Sequence, residues 1–200
     1  MADPPLISVI TPTWQRHGLL LDRCIPSVAM QDYPLLEHVI VSDGPDPELG
    51  DLLASQSYVV YDQLPVKSSQ RWGVAARLRA LELAKGDLIC YVDDDNAFRP
   101  QHLTRIAQAM ERNPDAGFGY TQIMMHRPDH AYVVGAPPPA LGCIDTSAMF
   151  HRASLLELGT WRDDGHQSTI DWDLAEQWLQ AGAGWEFVPE ITADYYFPGA

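Results

Sequence analysis

The sequence predicts an α/β fold, a mainly parallel central sheet with helices on both faces and a smaller, less regular second half. Three observations carry that prediction. Short apolar runs of strand length stand at residues 6–11, 38–42 and 88–92. Stretches of good helix formers separate them, giving the order strand, helix, strand twice over. Each run also ends in polar or turn-forming residues, at Thr11-Pro12-Thr13, Asp43-Gly44 and Asp93-Asp94-Asp95. Ligands in folds of this class bind beyond the carboxyl ends of the strands, so three polar segments converge where a nucleotide would sit.

Residues 6–11 (LISVIT) form a buried strand ended by Pro12. A helical stretch covers about 18–30, and Pro26 must kink or split it. Residues 38–42 (HVIVS) form the second strand, stopped by the turn Asp43-Gly44-Pro45-Asp46-Pro47. Residues 58–61 form the third. Residues 71–85 carry Val74, Leu78, Leu81 and Leu83 among good helix formers, with Gly86 as the stop. The fourth strand, 88–92, leads straight into the acidic triplet, and Pro100 opens a helix over 101–112. Beyond about Pro114 the pieces shorten. Strand-like segments stand at 119–125, 131–134 and 147–151, then a helix over 171–180 and a strand over 185–188. No linker-like stretch divides the chain, so the expectation is one domain over 1–200 with halves at 1–113 and 114–200.

The chain has 200 residues, 46% of them hydrophobic, enough for a sizeable core. A net charge of −14 argues against broad binding to nucleic acid or anionic lipid, while leaving room for a phosphate-bearing substrate beside a bound metal. Cys24, Cys90 and Cys143 are odd in number and widely spaced, which favours unpaired thiols in a reducing compartment. The start, Met1-Ala2-Asp3-Pro4-Pro5, lacks the basic region of a signal peptide, and no apolar run has membrane-spanning length. The expected location is the cytoplasm.

Asp93-Asp94-Asp95 is the most informative segment. Adjacent carboxylates repel, so a folded chain rarely keeps three at a strand end without a cation. Along an extended backbone Asp93 and Asp95 point to one side and Asp94 to the other, so the outer pair can converge on one ligand. Hard ions such as Mg²⁺ or Mn²⁺ bind through one or two carboxylates plus substrate phosphates. A solvated acidic turn is the plainer alternative for the triplet taken alone.

Four blocks in order extend the pattern: Ile7-Ser8-Val9-Ile10-Thr11-Pro12-Thr13, then Val41-Ser42-Asp43-Gly44, then Gly73-Val74-Ala75-Ala76-Arg77 through Ala84-Lys85-Gly86-Asp87, and Tyr91-Val92-Asp93-Asp94-Asp95. Together they resemble family 2 glycosyltransferases of the GT-A fold, across almost the whole chain. The resemblance implies a Rossmann-like sheet, a donor half and an acceptor half. It also implies transfer of a sugar from a nucleoside-diphosphate donor, a UDP-sugar by family habit, to an acceptor hydroxyl with inversion. It implies that Thr11, Pro12 and Thr13 touch the nucleoside and that Asp43 accepts a hydrogen bond from the base. Asp95 would ligate Mn²⁺ or Mg²⁺ in the D-x-D manner, and Asp93 or Asp94 would reach the ribose or the metal. Arg77 would face the diphosphate, although the Asn that follows it in the family is Leu78 here; a solvated helix arginine is the alternative.

Asp171-Trp172-Asp173-Leu174 resembles the acidic block that opens the family's acceptor-side helix, with Ile170 where an acid usually stands. Asp171 is then the base that takes the acceptor proton. First-turn acids favoured by the helix dipole are the alternative for Asp171 and Asp173. Asp145 is a weaker site candidate beside the acceptor pocket. Trp161, Trp172, Trp178 and Trp185 are core residues or platforms for a sugar ring. His126, His130, His151 and His166 lack a metal-ligand spacing, though His166 stands close to Asp171. No histidine follows Glu190, where some relatives place a metal ligand.

Other functions fit parts of this pattern. A nucleotidyltransferase shares the sheet and a metal–diphosphate site but wants a Gly-rich basic loop where this chain has Thr13-Trp14-Gln15-Arg16-His17-Gly18. A Mg²⁺ phosphohydrolase wants a nucleophilic Asp at the end of the first strand. A non-catalytic nucleotide-sugar-binding module would have lost the metal Asp or the base. The acceptor class stays open among saccharide, lipid-linked glycan, protein, small molecule and modified base, with duplex nucleic acid the least favoured.

Overall fold

A computed structural model describes residues 4–163 and 169–199. Nine strands among them join one sheet, in the order β3-β2-β1-β4-β8-β6-β9-β5 with β7 paired to β6. The strands are β1 (Ile7–Thr13), β2 (Leu36–Ser42), β3 (Val59–Gln63), β4 (Leu88–Tyr91), β5 (Ala97–Phe98), β6 (Ala116–His126), β7 (Ala131–Val134), β8 (Met149–Arg152) and β9 (Gly184–Tyr196). The helices are α1 (His17–Leu19), α2 (Ile25–Ala29), α3 (Pro47–Leu53), α4 (Val74–Leu83), α5 (His102–Arg112) and α6 (Ile170–Gln180). No helix among the described residues is long and apolar enough to cross a membrane.

The half built from β3, β2, β1 and β4 is wholly parallel, as the strand–helix–strand order requires. The other half mixes directions. β8 runs antiparallel to β4 and β6, whereas β6 and β9 run parallel over most of their length. Side chains alternate across β1, so Ile7 and Val9 meet one layer and Ile10 the other. The first layer carries Leu20 and Cys24, Val28 of α2, Leu49 of α3 and Ile106 of α5. The second carries Val74 and Ala80 of α4 with Leu174 and Trp178 of α6. Trp161 and Trp178 are fully buried there, with Trp161 edge-on to Tyr91 at 5.0 Å between centroids. These two tryptophans are core. Cys24 and Cys90 are buried free thiols.

Several boundaries differ from the sequence expectation, each for a local reason. Pro12 does not end β1, which continues to Thr13 in register with Ser42. The Ile7 N–H donates toward β2 and the Val92 N–H donates to Ile10 O on the opposite edge. By alternation the Pro12 nitrogen faces the β4 side, two residues past the last β1–β4 pair, and Val92 O there accepts from the Thr11 hydroxyl instead. Pro26 stands in the first turn of α2, and the expected helix is split just before it into α1 and α2. A π-helical turn, Leu20–Cys24, sits directly before α2 and widens the helix where the proline ring would meet the preceding turn. Helix α3 was hidden inside a turn signal. Asp46 caps it by accepting from the Leu49 N–H at 3.2 Å, and Pro47 takes the first helical position. Strand β9 runs far beyond the expected residues 185–188, through Pro189 and on to Tyr196, crossing register shifts against β6.

Gly86 does not stop α4, which ends at Leu83 before the extended residue Ala84. Its task is close approach. The Gly86 N–H donates to Ser8 Oγ at 2.8 Å, while Ser8 Oγ donates to Glu37 at 2.5 Å. A Cβ on residue 86 would stand 2.5 Å from the Ser8 backbone nitrogen. Gly86→Ala is therefore expected to lower the unfolding free energy by about 1–3 kcal/mol, as forced overpacking does. Urea melts would show a reduced midpoint at unchanged slope; an unchanged midpoint would mean that the backbone there yields freely.

Candidate active site

The carboxyl edge of β1, β2 and β4 opens into a cavity of about 550 Å³. Across the sheet, Asp43 follows β2, Pro12 and Thr13 end β1, and Asp93, Asp94 and Asp95 follow β4. Asp145 and Thr146 precede β8, and Asp171 lies in the first turn of α6. Arg77 reaches in from α4 and Tyr195 from β9.

Thr11 alone of the expected site residues points away. Its hydroxyl donates to Val92 O at 2.8 Å and lies 2.8 Å from His38 Nε2, fully buried beneath the edge. Burial holds the His38 imidazole neutral, its pKa pushed down to about 3. Thr13 Oγ1 lies in the cavity wall and donates to Asp94 at 2.7 Å. Asp43 is nearly buried; its carboxylate pairs with Lys67 Nζ at 2.5 Å and accepts from the Ser68 N–H at 3.3 Å. Gly44 beside it has φ 151°, and a Cβ there would collide with the Trp14 ring at 2.3 Å. Only glycine at residue 44 leaves room for that indole.

Arginines hold the triplet. Buried Arg77 pairs with Asp93 and donates to Trp72 O, with its guanidinium 5.0 Å from the Trp161 ring centroid. Arg77 itself lines the cavity, with one guanidinium nitrogen on Asp93. Trp72 and Gly73 both take left-handed backbone, φ 60° and 67°, to turn the chain into α4 at this point. Arg16, which the sequence reading passed over, spans Asp94 at 2.8 Å and Asp95 at 2.5 Å. Burial raises the Asp94 pKa to about 6, opposed by the Thr13 hydrogen bond and Arg16.

The far wall is also acidic. Asp171 accepts from the Trp172 N–H at 2.7 Å, yet burial pushes its pKa up to about 6. Asp145 accepts from the Ser147 N–H at 2.8 Å. Burial first, then the Asp171 and Asp93 charges, push it up to about 8. At neutral pH the fold thus favours a protonated Asp145 beside an ionised Asp171. Asp173 is taken up by Thr169, whose hydroxyl donates to it at 3.2 Å. His126 pairs with Asp194, His151 bonds Tyr91 in the core, and His130 is exposed; none lines the cavity. His166 lies outside the described residues. The tryptophans that do line the cavity are Trp14 and Trp72, not the four singled out from sequence.

The donor set suits a hard divalent ion. Asp93 and Asp95 are partly exposed in the cavity, and each keeps one carboxylate oxygen outside its arginine pair. No group of three or more His, Cys, Asp or Glu side chains forms a metal cage among the described residues, so water and phosphate oxygens would complete the shell. Arg16, Lys67 and Trp14 were missed because they stand in loops without a motif, and Trp72 because it lies in a 3-10 turn that the sequence reads as the start of a helix. Their one signal was position, since each follows a strand or precedes a helix at the carboxyl edge.

A family model described as Glycosyl transferase family 2 matches residues 8–159. An N-acetylglucosaminyltransferase of Azorhizobium caulinodans is 30% identical over 119 residues, 56% of this chain and 29% of its own length. An N-acetylglucosaminyltransferase of Mesorhizobium japonicum is 26% identical, covering 98% of this chain and 52% of its own. The chain spans about half or less of the length of such curated relatives. A crystal structure of S. aureus TarS 1-349 in complex with UDP-GlcNAc superposes with a TM-score of 0.76 at 16% identity, over 98% of this chain and 59% of that one. That likeness shows a shared GT-A fold.

The Asp145 environment makes a test of the cavity's electrostatics. Its carboxyl is favoured neutral in the fold, so its stabilising share is full below the ordinary carboxylate range and is lost as pH rises toward about 8. Asp145→Asn stays neutral throughout. It is expected to melt at a higher temperature than the parent, with the gap widening from pH 5 to pH 8. A gap that ignores pH would show that residue 145 ionises like a surface acid.

Proposed function

The chain belongs to glycosyl transferase family 2, and from that premise we propose that its cavity binds a UDP-sugar with Mn²⁺ or Mg²⁺ and passes the sugar to an acceptor hydroxyl with inversion. The observation that carries this reading is one cavity in which Asp93 and Asp95, paired with arginines, share the wall with Asp145 and Asp171, whose carboxyls are pushed up toward neutrality. The UDP assignment is supported by the ligand named for the TarS structure.

In this reading Asp43 accepts from the base N–H, with Trp14 along the ring face and Lys67 paired with the carboxylate. Arg77 fixes Asp93, so that Asp93 and Asp95 present oxygens toward the diphosphate. Asp93 and Asp95 would hold the divalent ion, whose Lewis acidity would offset the charge that grows on the departing UDP. Asp171 takes the proton of the acceptor hydroxyl as it attacks the anomeric carbon from the far side. A carboxylate whose pKa is lifted to about 6 is a stronger base than a surface one and remains ionised at neutral pH. Neutral Asp145 donates a hydrogen bond to a sugar hydroxyl on the same wall.

Release of nucleoside diphosphate from a panel of UDP-, GDP- and dTDP-sugars with Mn²⁺ tests the reading. Slow UDP release is expected, lost with chelator and in Asp95→Ala. Asp171→Asn should lower turnover by roughly 10²–10⁴-fold. Turnover should also fall as pH drops below about 6, where Asp171 gains its proton. Pyrophosphate or inorganic phosphate as the product would sink the transferase assignment in favour of nucleotidyl transfer or hydrolysis. No donor turned over and none raising the melting temperature would leave a family member without the activity.

A further inference from the structure

The two arginines at the triplet differ in how firmly they are held. Arg77 is buried, bonded to Trp72 O and set against Trp161. The Arg16 side chain is 43% exposed, on a short connection between Thr13 and His17. Its neighbour Gln15 has φ 52°, a costly conformation for a residue with a side chain. The Arg16 guanidinium has its two ion pairs with Asp94 and Asp95, at 2.8 and 2.5 Å. Arg77 is thus a fixture and Arg16 a removable cation. The other exposed cation in the cavity wall, Lys67, is engaged by Asp43.

We propose that Arg16 is an exchangeable counter-cation, which neutralises Asp94 and Asp95 while no divalent ion is bound and turns to the donor's diphosphate when the ion takes Asp95. The inference rests on the donor-and-metal reading above. A guanidinium pressed against Asp95 repels an incoming divalent cation and occupies one of its oxygens. The diphosphate brings fresh negative charge into the same cavity. Arginine suits the transfer, because its planar fork meets carboxylate and phosphate oxygens with the same geometry. Metal and nucleotide then help each other bind, and the enhancement is reciprocal.

Mn²⁺ uptake, read from loss of the free-ion EPR signal with and without UDP, tests this on the parent, Arg16→Ala and Arg16→Gln. Removing an exposed ion pair should let both variants bind Mn²⁺ alone roughly three- to fivefold more tightly. The same variants should bind UDP in the presence of Mn²⁺ roughly tenfold more weakly, having lost a charged donor to phosphate. Opposite movement of the two affinities is something a misfolded variant cannot produce. Mn²⁺ affinity unchanged or weakened in both variants, at a parental melting temperature, overturns the exchange and leaves the donor reading standing. Uptake of Mn²⁺ by none of the three proteins, even with UDP present, overturns the donor-and-metal reading and the exchange together.

Discussion

Three carboxylates crowd the end of β4, and the chain holds them there by bringing two guanidiniums against them. Much of the surrounding structure answers that requirement. Arg77 must come from the first turns of α4, and the left-handed pair Trp72 and Gly73 turns the chain into that helix. Arg16 must come from the turn after β1, which runs on past Pro12 to deliver it. Arg23 donates to Asp95 O at 2.7 Å and lies 3.9 Å over the Tyr196 ring, so the same acidic segment is tied to β9. Asn96, directly after the triplet, accepts from the Tyr196 N–H and donates to Ser147. One crowded strand end therefore sets the position of loops from both halves of the sheet.

The cavity sorts its acids by their surroundings. Asp93 and Asp95 each pair with an arginine and keep one oxygen for a cation. At Asp145 and Asp171 desolvation outweighs the backbone hydrogen bonds in setting the affinity for protons. Side chains of one type thus acquire two kinds of chemistry within one enclosure. The separation between Asp145 and Asp171, two neighbouring acids with unequal environments, is the arrangement that gives one group a proton to share and the other room to accept one.

The parallel half was legible because its physics is local and periodic. Apolar runs ending in Thr-Pro-Thr, Asp-Gly and Asp-Asp-Asp mark strands and their carboxyl edge at once, and the structure gathers Pro12, Thr13, Asp43 and the three aspartates into the cavity. Thr11 shows the limit of that reading: it shares a strand face with Thr13 but lies two residues deeper in β1, beneath the edge. Helix α3 was legible in principle, since Asp46-Pro47 is a cap followed by a proline at the first helical position. Arg16 and Lys67 were not, because a loop cation becomes part of a site only through the carboxylate that folding places beside it. The extent of β9 was hidden for a related reason. Its pairing with β6 passes through register shifts and Pro189, so no single periodicity runs along its residues.

Strand β9 also bears on how the molecule comes together in time. It inserts between β6 and β5, with Asp194 opposite Ala97 and Tyr196 bonded to Asn96, about one hundred residues away along the chain. The parallel half can zip through short strand–helix–strand steps, but this pairing must close a very long loop, the kind of event that slows folding most. A folding intermediate that lacked β9 would carry the acidic triplet and both arginines without the Tyr195 wall. Such a species would have an unfinished cavity, so completing the ligand site depends on closing that long loop.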